Sequence, residues 1–523
     1  EFTNQGWLSD KGRYNFDYLH SENRVLNILN KSEDSFNEIS ISEAMAKIKN
    51  KIDELDNPNV KFLLGSSSTN EEYFVINEIG NYLNKDKFLS RDSSNIYFGD
   101  DLLFEGYFGD QYSQAKLEDL DNSETIVVWA EDIKDNLPIL YLRIKKAVKN
   151  GSKLIVFGHT NTSIAGLADF YFGADIVSNK FELIRNPNEI EDLKNNIEGK
   201  KVTVIAGKST VFQKKESLDK LINFLNEKSE LQVFNAFSKG NTFGALQNID
   251  EVKGLNEFCN EFDTNAKNIV FTIGVNPVNS SFFGQKIKEK LIASDFVISL
   301  DLFVNETTEL ADLILPTTSL GEKEGTVTNM EMRVMKQNKI LPAPGSTLSE
   351  WEYLTSILNV LGEDVNYKNE NEINNYLSEK YINQEKLPTF DNLNKPSNLF
   401  GVINKKDINI NIKDLEEDNF SLLMVRRLYG DSSTQINSPS ISMLGAHKFI
   451  ELNSTTAKKY GINSKVGNLI QGPNSILINI DINEYLPDDL VIAPINRRGF
   501  ENIDPCLDFD ITEAKNREEL NVN

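Results

Sequence analysis

The feature that most restricts the fold is a series of short apolar runs, each ending in small or turn-forming residues and followed by an amphipathic stretch. Residues 60–64, 125–130, 153–158 and 268–274 are such runs, and Ile41–Leu55 has the apolar spacing of a helix. Runs that are apolar at nearly every position predict strands buried on both faces of a parallel sheet. Their alternation with helices predicts an α/β fold with two doubly wound, mostly parallel sheets, because one sheet of ordinary size cannot hold all the strands.

The C-terminal part of the chain has a different pattern. Short apolar runs at residues 420–425, 449–452, 476–480 and 491–494 are separated by turns. Many short strands with turns between them predict a small β-barrel.

These patterns predict a discontinuous domain organisation. We expect one α/β domain over residues 36–165 and 266–365, an inserted α/β domain over 166–265, a linker with some helix over 366–415, and the β-barrel domain over 416–523. The linker assignment rests on a composition rich in Asn, Lys and Glu with weak periodicity.

Composition excludes several classes of function. The net charge of −24, from 79 acidic and 55 basic residues, argues against binding of nucleic acid or of an anionic membrane surface, and favours solubility or docking onto a basic partner. The two cysteines and three histidines are too scattered to have the spacing of a metal site. No run approaches the roughly 18 to 20 apolar residues of a membrane span, so no direct membrane insertion is expected.

Residues 311–333 form the stretch with the strongest functional signal. The apolar run Leu313-Ile314-Leu315 ends at Pro316, and a segment rich in Gly, Glu and Asn follows. One interpretation is a ligand crevice, because open α/β sheets build crevices where parallel strands end. The other is a charged surface loop.

Three other predicted strands also end in small residues, at positions 64–66, 206–208 and 273–277. Such turns can hold a phosphate at a helix N-terminus, but none completes the G-x-G-x-x-G or G-x-x-x-x-G-K-[ST] pattern. The alternative is that short turns between strand and helix require small residues in any case.

The order of these motifs resembles the molybdopterin oxidoreductase superfamily over nearly the whole chain. The resemblance implies a double-psi form for the C-terminal barrel. It also implies vestigial pterin-loop positions that keep the loop together, with Arg333 expected to bridge Glu331 or Glu322. The positions that carry the resemblance in this part of the chain are Asn276, Glu322, Gly325, Thr326, Asn329, Glu331 and Arg333.

The segment Trp7-Leu8-Ser9-Asp10-Lys11-Gly12-Arg13-Tyr14 is similar to the one that follows the iron–sulfur region in the G subunit (the large iron–sulfur subunit) of NADH-quinone oxidoreductase, respiratory complex I. The resemblance implies that residues 1–35 are the remnant of an iron–sulfur region. It also implies 2Fe–2S and 4Fe–4S clusters in a preceding part of the parent protein, other peripheral-arm subunits as partners, and a peripheral location on the cytoplasmic side of the inner membrane.

The departures from the family pattern indicate that cofactors are missing from this chain. Ser9 stands where many relatives have the last cluster cysteine, and clusters need thiolate ligands. Ser93 or Ser94 is a conceivable molybdenum ligand without supporting neighbours, and Met332 replaces a glycine that would let a pterin approach closely. Cys259 is interpreted as a buried or inert thiol.

Two functions follow from these expectations. The first is a structural, cofactor-free portion of an electron-transfer subunit of complex I, with no catalytic residue, cofactor or metal in this chain. The alternative is the catalytic subunit of a molybdopterin-dependent oxidoreductase of the formate dehydrogenase kind. Whether the crevice beside residues 311–333 is open or filled by side chains would help to separate them.

Overall fold

The computed structural model describes most of the chain. The described residues are 6–33, 35–84, 95–99, 103–108, 113–130, 132–158, 162–175, 180–183, 194–208, 215–380, 410–411, 422–445 and 448–514.

The strands are numbered in chain order. They are β1 (Ile28–Ser32), β2 (Ser35–Ile39), β3 (Asn59–Leu64), β4 (Ile96–Phe98), β5 (Ser113–Gln114), β6 (Thr125–Trp129), β7 (Lys153–Gly158), β8 (Phe170–Asp175), β9 (Lys180–Leu183), β10 (Lys201–Ala206), β11 (Glu230–Asn235), β12 (Val252–Lys253), β13 (Asn268–Ile273), β14 (Phe296–Asp301), β15 (Leu313–Pro316), β16 (Gly325–Thr328), β17 (Val334–Gln337), β18 (Ile410–Asn411), β19 (Leu422–Val425), β20 (Phe449–Leu452), β21 (Val466–Gln471), β22 (Asn474–Ile482), β23 (Val491–Pro494) and β24 (Asp510–Glu513).

The α-helices are numbered in the same way. They are α1 (Asp10–Tyr14), α2 (Ile41–Leu55), α3 (Asn70–Asn84), α4 (Ile133–Asn136), α5 (Pro138–Lys149), α6 (Lys215–Lys228), α7 (Thr242–Asn248), α8 (Leu255–Glu261), α9 (Pro277–Ser280), α10 (Gly284–Ile292), α11 (Glu350–Val360), α12 (Glu370–Lys380), α13 (Ser433–Ile436), α14 (Pro439–Ser442) and α15 (Ser454–Lys459).

The first sheet has nine strands in the order β18-β12-β4-β3-β13-β14-β15-β1-β2. Its strands pair in parallel from β18 to β15, and only the edge formed by β1 and β2 is antiparallel. Alternate side chains of one strand enter different cores: Phe62 packs in one cluster, where its ring stacks on Phe271 with centroids 4.8 Å apart, and Leu63 packs in the other. The near-continuous apolar runs are explained by this burial on both faces.

The second sheet has seven strands in the order β5-β11-β10-β6-β7-β8-β9, parallel except for the pair β8 and β9. Here Val127 and Val128, which are adjacent in β6, again belong to different core clusters. The prediction of an α/β fold with two mostly parallel sheets is therefore confirmed.

The C-terminal residues form a separate sheet of six strands in the order β19-β23-β20-β22-β21-β24. The two end strands, β19 and β24, have no pairing with each other among the described residues, so closure into a barrel stays a prediction. Ile450 and Leu469 of this sheet share a core cluster with Leu63 and Val270 of the first sheet. The C-terminal sheet is thereby packed onto one face of the first.

Some segments lie elsewhere than the sequence suggested. The sequence placed β6 and β7 within the range of the discontinuous domain. In the structure both strands belong to the seven-stranded sheet. The pattern of apolar runs could not show this, because it does not tell which strands pair. Helix α12 falls in the expected linker but packs through Ile373 and Leu377 against the first sheet's core. The division of the chain into domains itself stays a prediction. Among the described residues, no helix combines the length and apolar character needed to cross a membrane.

Candidate functional site

A cavity of about 720 Å³ opens where neighbouring parallel strands of the first sheet end. Its wall includes the residues that follow β3, β4, β13, β14 and β15, together with side chains from the N-terminal segment and the C-terminal sheet domain. In open α/β sheets, the carboxyl ends of the strands are where ligands bind. The stretch 311–333 contributes Thr317, Thr318, Ser319, Leu320, Lys323 and Val327 to this wall.

The small residues after β3 and β13 let two turns approach each other closely. A Cβ atom on Gly65 would lie 1.8 Å from the carbonyl oxygen of Gly274, which has a positive φ of 57°. A Cβ atom on Gly274 would lie 2.5 Å from Oγ of Ser67. The chain itself occupies the space that these glycines leave, so they are explained by packing and not by a phosphate cradle.

The loop after β15 is held by buried charges, which excludes the interpretation as a charged surface loop. Glu322 accepts hydrogen bonds from Arg24 at both carboxylate oxygens, at 2.5 and 2.9 Å, and from the backbone N–H of Ser319 at 2.8 Å. The Ser319 hydroxyl lies 2.9 Å from the hydroxyl of Tyr18. The N-terminal segment is thus fixed to the cavity wall.

Lys323 forms a buried cluster with two carboxyl groups. Its Nζ donates to Glu72 Oε2 and to Glu350 Oε2, each at 2.7 Å. Burial raises the pKa of Glu350 well above its usual range, and the neighbouring Glu72 raises it further. Burial acts in the same direction on Glu72, but the Lys323 ammonium together with hydrogen bonds from Lys323, Glu350 and the Thr69 backbone lowers the pKa of that carboxyl. One carboxyl of the pair therefore keeps a proton, which leaves the cluster neutral.

Glu71 holds the start of β16 against α3. It accepts hydrogen bonds from the backbone N–H and the hydroxyl of Thr326, each at 2.8 Å, and from the Asn374 amide at 3.0 Å. Burial raises the pKa of Glu71 to about 7, although these hydrogen bonds act against the shift. A Cβ atom on Gly325 would lie 2.7 Å from Thr69, so this glycine permits close packing of the strand on the helix.

The turn between β16 and β17 is stabilised within itself. Asn329 Oδ1 accepts hydrogen bonds from the backbone N–H groups of Glu331 and Arg333, at 3.0 and 2.9 Å. Arg333 Nε lies 3.7 Å from Glu331 Oε2, so the expected bridge goes to Glu331 and not to Glu322. Met332 has a positive φ of 59° and is buried in the core. The glycine that the family pattern has at this position is therefore explained by the backbone conformation, which glycine adopts readily.

The six vestigial pterin-loop positions are Asn276, Glu322, Gly325, Thr326, Asn329 and Arg333. Asn276 is among the described residues that line the cavity, and the other five hold the loop together beside it. Asn276 donates to Glu306 at 2.7 Å and accepts from the Thr307 hydroxyl at 2.7 Å. Their assignment as former cofactor contacts stays a prediction.

The cavity wall is more basic than the whole chain. Sequence reasoning missed this, because a net charge of −24 gives no sign of a local excess of cations and the contributing segments are far apart. The described lining includes five cationic side chains against three acidic ones, namely Lys11, Lys239, Lys323, Arg426 and Arg427 against Asp135, Asp301 and Glu350.

Both cysteines lie outside this wall. Cys259 and Cys506 are half-buried and pack against the core shared by the first and C-terminal sheets. Cys506 Sγ lies 3.7 Å from Lys286 Nζ, and burial followed by Asp504 raises the pKa of this thiol to about 11. Ser93 and Ser94 lie outside the described residues.

The sequence profile of the molybdopterin oxidoreductase family matches residues 24–360. The chain belongs to this family. A scan of the described residues finds no group of three or more His, Cys, Asp or Glu side chains able to hold a metal ion.

Several curated proteins of oxidoreductase complexes are similar to this member of the family. The alpha subunit of F420-dependent formate dehydrogenase 2 of Methanococcus maripaludis is 22% identical over 455 residues, covering 71% of this chain and 67% of the relative. The corresponding alpha subunit of Methanocaldococcus jannaschii is 23% identical, covering 69% and 65%. The 75 kDa subunit of NADH-ubiquinone oxidoreductase of Reclinomonas americana is 23% identical over 385 residues, covering 70% and 53%.

The chain therefore spans about two thirds of the length of the formate dehydrogenase subunits. Among solved structures, acetylene hydratase from Pelobacter acetylenicus has a similar fold. Its TM-score is 0.58 at 14% identity, with 95% of this chain and 93% of that chain covered. At this identity the likeness concerns the fold alone.

The family implies a molybdenum–pterin cofactor, and the described side chains of the cavity do not fit one that is held through a thiolate. Molybdenum sites of this kind use a soft sulfur donor from the protein, and both thiols of the chain lie elsewhere. The hydroxyls that line the wall, such as Ser66 and Ser67, are harder donors.

Proposed function

We propose that this chain is the molybdopterin-oxidoreductase-like portion of an electron-transfer subunit in a multi-subunit NADH-quinone oxidoreductase, and that it binds no molybdenum. The observation that carries the proposal is the position of Cys259 and Cys506, which leaves the cavity without a thiolate donor among the described residues. In this role the chain supplies a rigid body to the complex, and the iron–sulfur clusters are carried elsewhere in it.

The contacts of the loop at residues 317–333 support this role. Glu322 is neutralised by Arg24, and Lys323 by Glu72 and Glu350, so these charges serve the fold itself. A loop whose charged groups satisfy one another keeps its shape without a cofactor. The net charge of −24 supports docking against basic surfaces of neighbouring subunits.

The second candidate is the catalytic subunit of a molybdopterin-dependent oxidoreductase of the formate dehydrogenase kind. The comparisons favour it over the first, because the formate dehydrogenase alpha subunits match with more aligned residues than the 75 kDa subunit of complex I. The open cavity of about 720 Å³, with its excess of cations, also favours a bound cofactor.

Metal and pterin analysis of the purified full-length parent separates the two candidates. We expect molybdenum and tungsten far below one atom per chain by plasma mass spectrometry, and no fluorescent pterin after oxidative extraction. Stoichiometric metal together with a pterin, and formate-dependent reduction of a dye, would replace the first candidate by the second.

Affinity purification of the same parent in mild detergent tests the assembly. The first candidate predicts that a flavin-bearing subunit co-purifies and that the preparation oxidises NADH with a quinone as acceptor. Recovery of the parent as an isolated reductase would count against that assignment.

A further inference from the structure

The two parallel sheets have separate hydrophobic cores. The buried apolar residues that pack on the seven-stranded sheet lie between Tyr107 and Ala236, and none of those that the structure describes belongs to a core cluster of the first sheet. The first sheet and the C-terminal sheet, in contrast, share one cluster, which contains Leu63 and Ile450. Parts of a chain with separate cores can move relative to each other. We therefore distinguish a seven-stranded unit, the described residues from 107 to 236, from a main unit formed by the first and C-terminal sheets.

The chain crosses between the two units at residues 103–108 and again at residues 236–241. Phe104 of the first crossing stacks on Phe237 of the second, with ring centroids 4.7 Å apart. Gly240 of the second crossing is exposed, and a Cβ atom there would have one neighbour within 4 Å, the Ser66 carbonyl oxygen at 3.9 Å. Two adjacent crossings with an unobstructed glycine have the form of a hinge, because a few loop residues can absorb a change in backbone angles.

The turn between β16 and β17 is a further contact between the units. The Leu117 backbone N–H donates to Glu331 Oε1 at 2.8 Å, and Met330 packs against a core cluster of the seven-stranded sheet. This contact and the two crossings hold the units together even when contacts elsewhere are broken. Motion between the units is therefore a limited rotation, in which they do not separate.

An ion pair joins the units on the cavity wall. Arg427 Nη1 of the main unit lies 3.4 Å from Asp135 Oδ2 of helix α4, which belongs to the seven-stranded unit. Both residues line the cavity, and the side chains of Arg427 and Asp135 are 25% and 20% exposed. Because water already reaches both partners, breaking the pair leaves neither charge buried without compensation.

Arg427 keeps its position when this pair breaks. It also pairs with Glu451, and its guanidinium lies over the Phe449 ring, 5.3 Å from the centroid. The Asn496 side chain accepts a hydrogen bond from the Arg427 backbone N–H at 3.3 Å and donates one to its carbonyl oxygen at 3.1 Å. The cation is thus fixed and compensated within the main unit, and Asp135 is the partner that can leave and return.

We propose that the ion pair of Asp135 and Arg427 is a latch that holds the seven-stranded unit against the C-terminal sheet, and that this unit rotates about the two crossings when the latch opens. Opening widens the cavity between Asp135 and Arg427, and closing gives the rigid body that the proposed function requires. The inference goes beyond the proposed function, because it concerns motion within the chain and holds for either candidate.

Distances between two nitroxide spin labels, measured by double electron–electron resonance, test the latch in the full chain. The substitutions K149C in α5 and K458C in α15 replace exposed lysines and place one label on each unit. C259S and C506S remove the native thiols from this background protein. We expect one main distance in the background protein, which corresponds to the closed latch.

Substitutions of Asp135 should change the distances according to charge. D135N should make a longer-distance component about threefold more populated, because it removes a half-buried ion pair. D135R should populate that component further, because it repels Arg427, and D135E should behave like the background protein. K153Q is the matched control, since Lys153 pairs with Asp169 at 2.8 Å within the seven-stranded unit, and its distances should not change.

A salt series on the background protein is a second measurement. Raising sodium chloride from about 0.05 M to about 1 M should populate the longer component there, because salt screens a pair that water reaches, and should leave D135N unchanged. Distances unaffected by D135R, opening by K153Q as large as by D135N, or a background protein insensitive to salt would each overturn the proposal. If circular dichroism shows that a variant is unfolded, the salt series decides. The readout is a distance, so stoichiometric molybdenum would overturn the proposed function and leave the result for the latch as it stands.

Discussion

Arg24 and Glu322 form a buried ion pair in which two guanidinium nitrogens reach the two carboxylate oxygens, at 2.5 and 2.9 Å. Arg24 lies before β1 and Glu322 lies in the loop after β15, so the pair joins segments separated by 298 residues. Their side chains are 2% and 3% exposed. This contact explains why a glutamate follows the Leu-Pro strand end without a ligand being required.

Removing the Arg24 cation should therefore destabilise the folded protein. We expect R24M to lower the free energy of unfolding by about 3–5 kcal/mol, because Glu322 is left buried and unpaired. Urea denaturation followed by circular dichroism measures the change. The double variant R24M/E322Q should recover part of the loss. K49M, which removes an exposed pair with Asp53, should stay within about 0.5 kcal/mol of the wild type, and equal losses in R24M and K49M would contradict the assignment.

The Lys323 cluster leads to a prediction with a pH dependence. K323M leaves Glu72 and Glu350 without their cation, so the pKa of Glu350 should rise further and the lowered pKa of Glu72 should rise as well. Groups with raised pKa values in the folded state lose their favourable contribution as the pH rises. The variant should therefore lose more stability between about pH 5 and about pH 8 than the wild type does, which denaturation of both proteins at both pH values would measure. K459M, which removes an exposed cation, should show the wild-type fall, and a K323M fall no larger than that of the wild type would contradict this role for Lys323.

Glu71 should make the wild type less stable as the pH rises. Its pKa is about 7 in the folded protein against 4.5 for an ordinary glutamate. Between these values the folded state holds a proton that the unfolded state has lost, so stability falls by up to about 3 kcal/mol across the interval. In E71Q this fall should become smaller by the contribution of Glu71. Denaturation midpoints at several pH values measure it, and the exposed variant E54Q should keep the wild-type slope.

The turn at Gly65 gives a prediction about packing. G65A would place a Cβ atom 1.8 Å from the Gly274 carbonyl oxygen, so the two turns must separate. We expect a loss of about 1–3 kcal/mol or more in stability. Gly166 is the matched control, since a Cβ atom there meets nothing within 4 Å. A G65A protein as stable as G166A would show that the turns separate without strain.

Much of the fold could be predicted because the signals that define it are local. Helix α2 has the predicted bounds, Ile41–Leu55, and strands such as β7 and β13 lie where their apolar runs stand. The packing of helix α12 against the core was not predicted, because the burial of Ile373 and Leu377 depends on residues that are remote in the sequence. The pairing of β6 and β7 within the seven-stranded sheet could not be predicted for a similar reason, since strand pairing is a long-range choice.

By itself, the sequence determined the α/β class and the positions of most strands and helices, and it offered a ligand crevice as one of two interpretations of residues 311–333. Apolar periodicity and turn chemistry act over a few residues, so they can be read without the fold. The tertiary structure decided that the crevice is open and that its charges pair as Lys323 with Glu72 and Glu350. It also gave the described lining of this cavity more cationic than acidic side chains in a chain whose overall charge is −24. These are distances between residues hundreds of positions apart, and only packing of the sheets sets them.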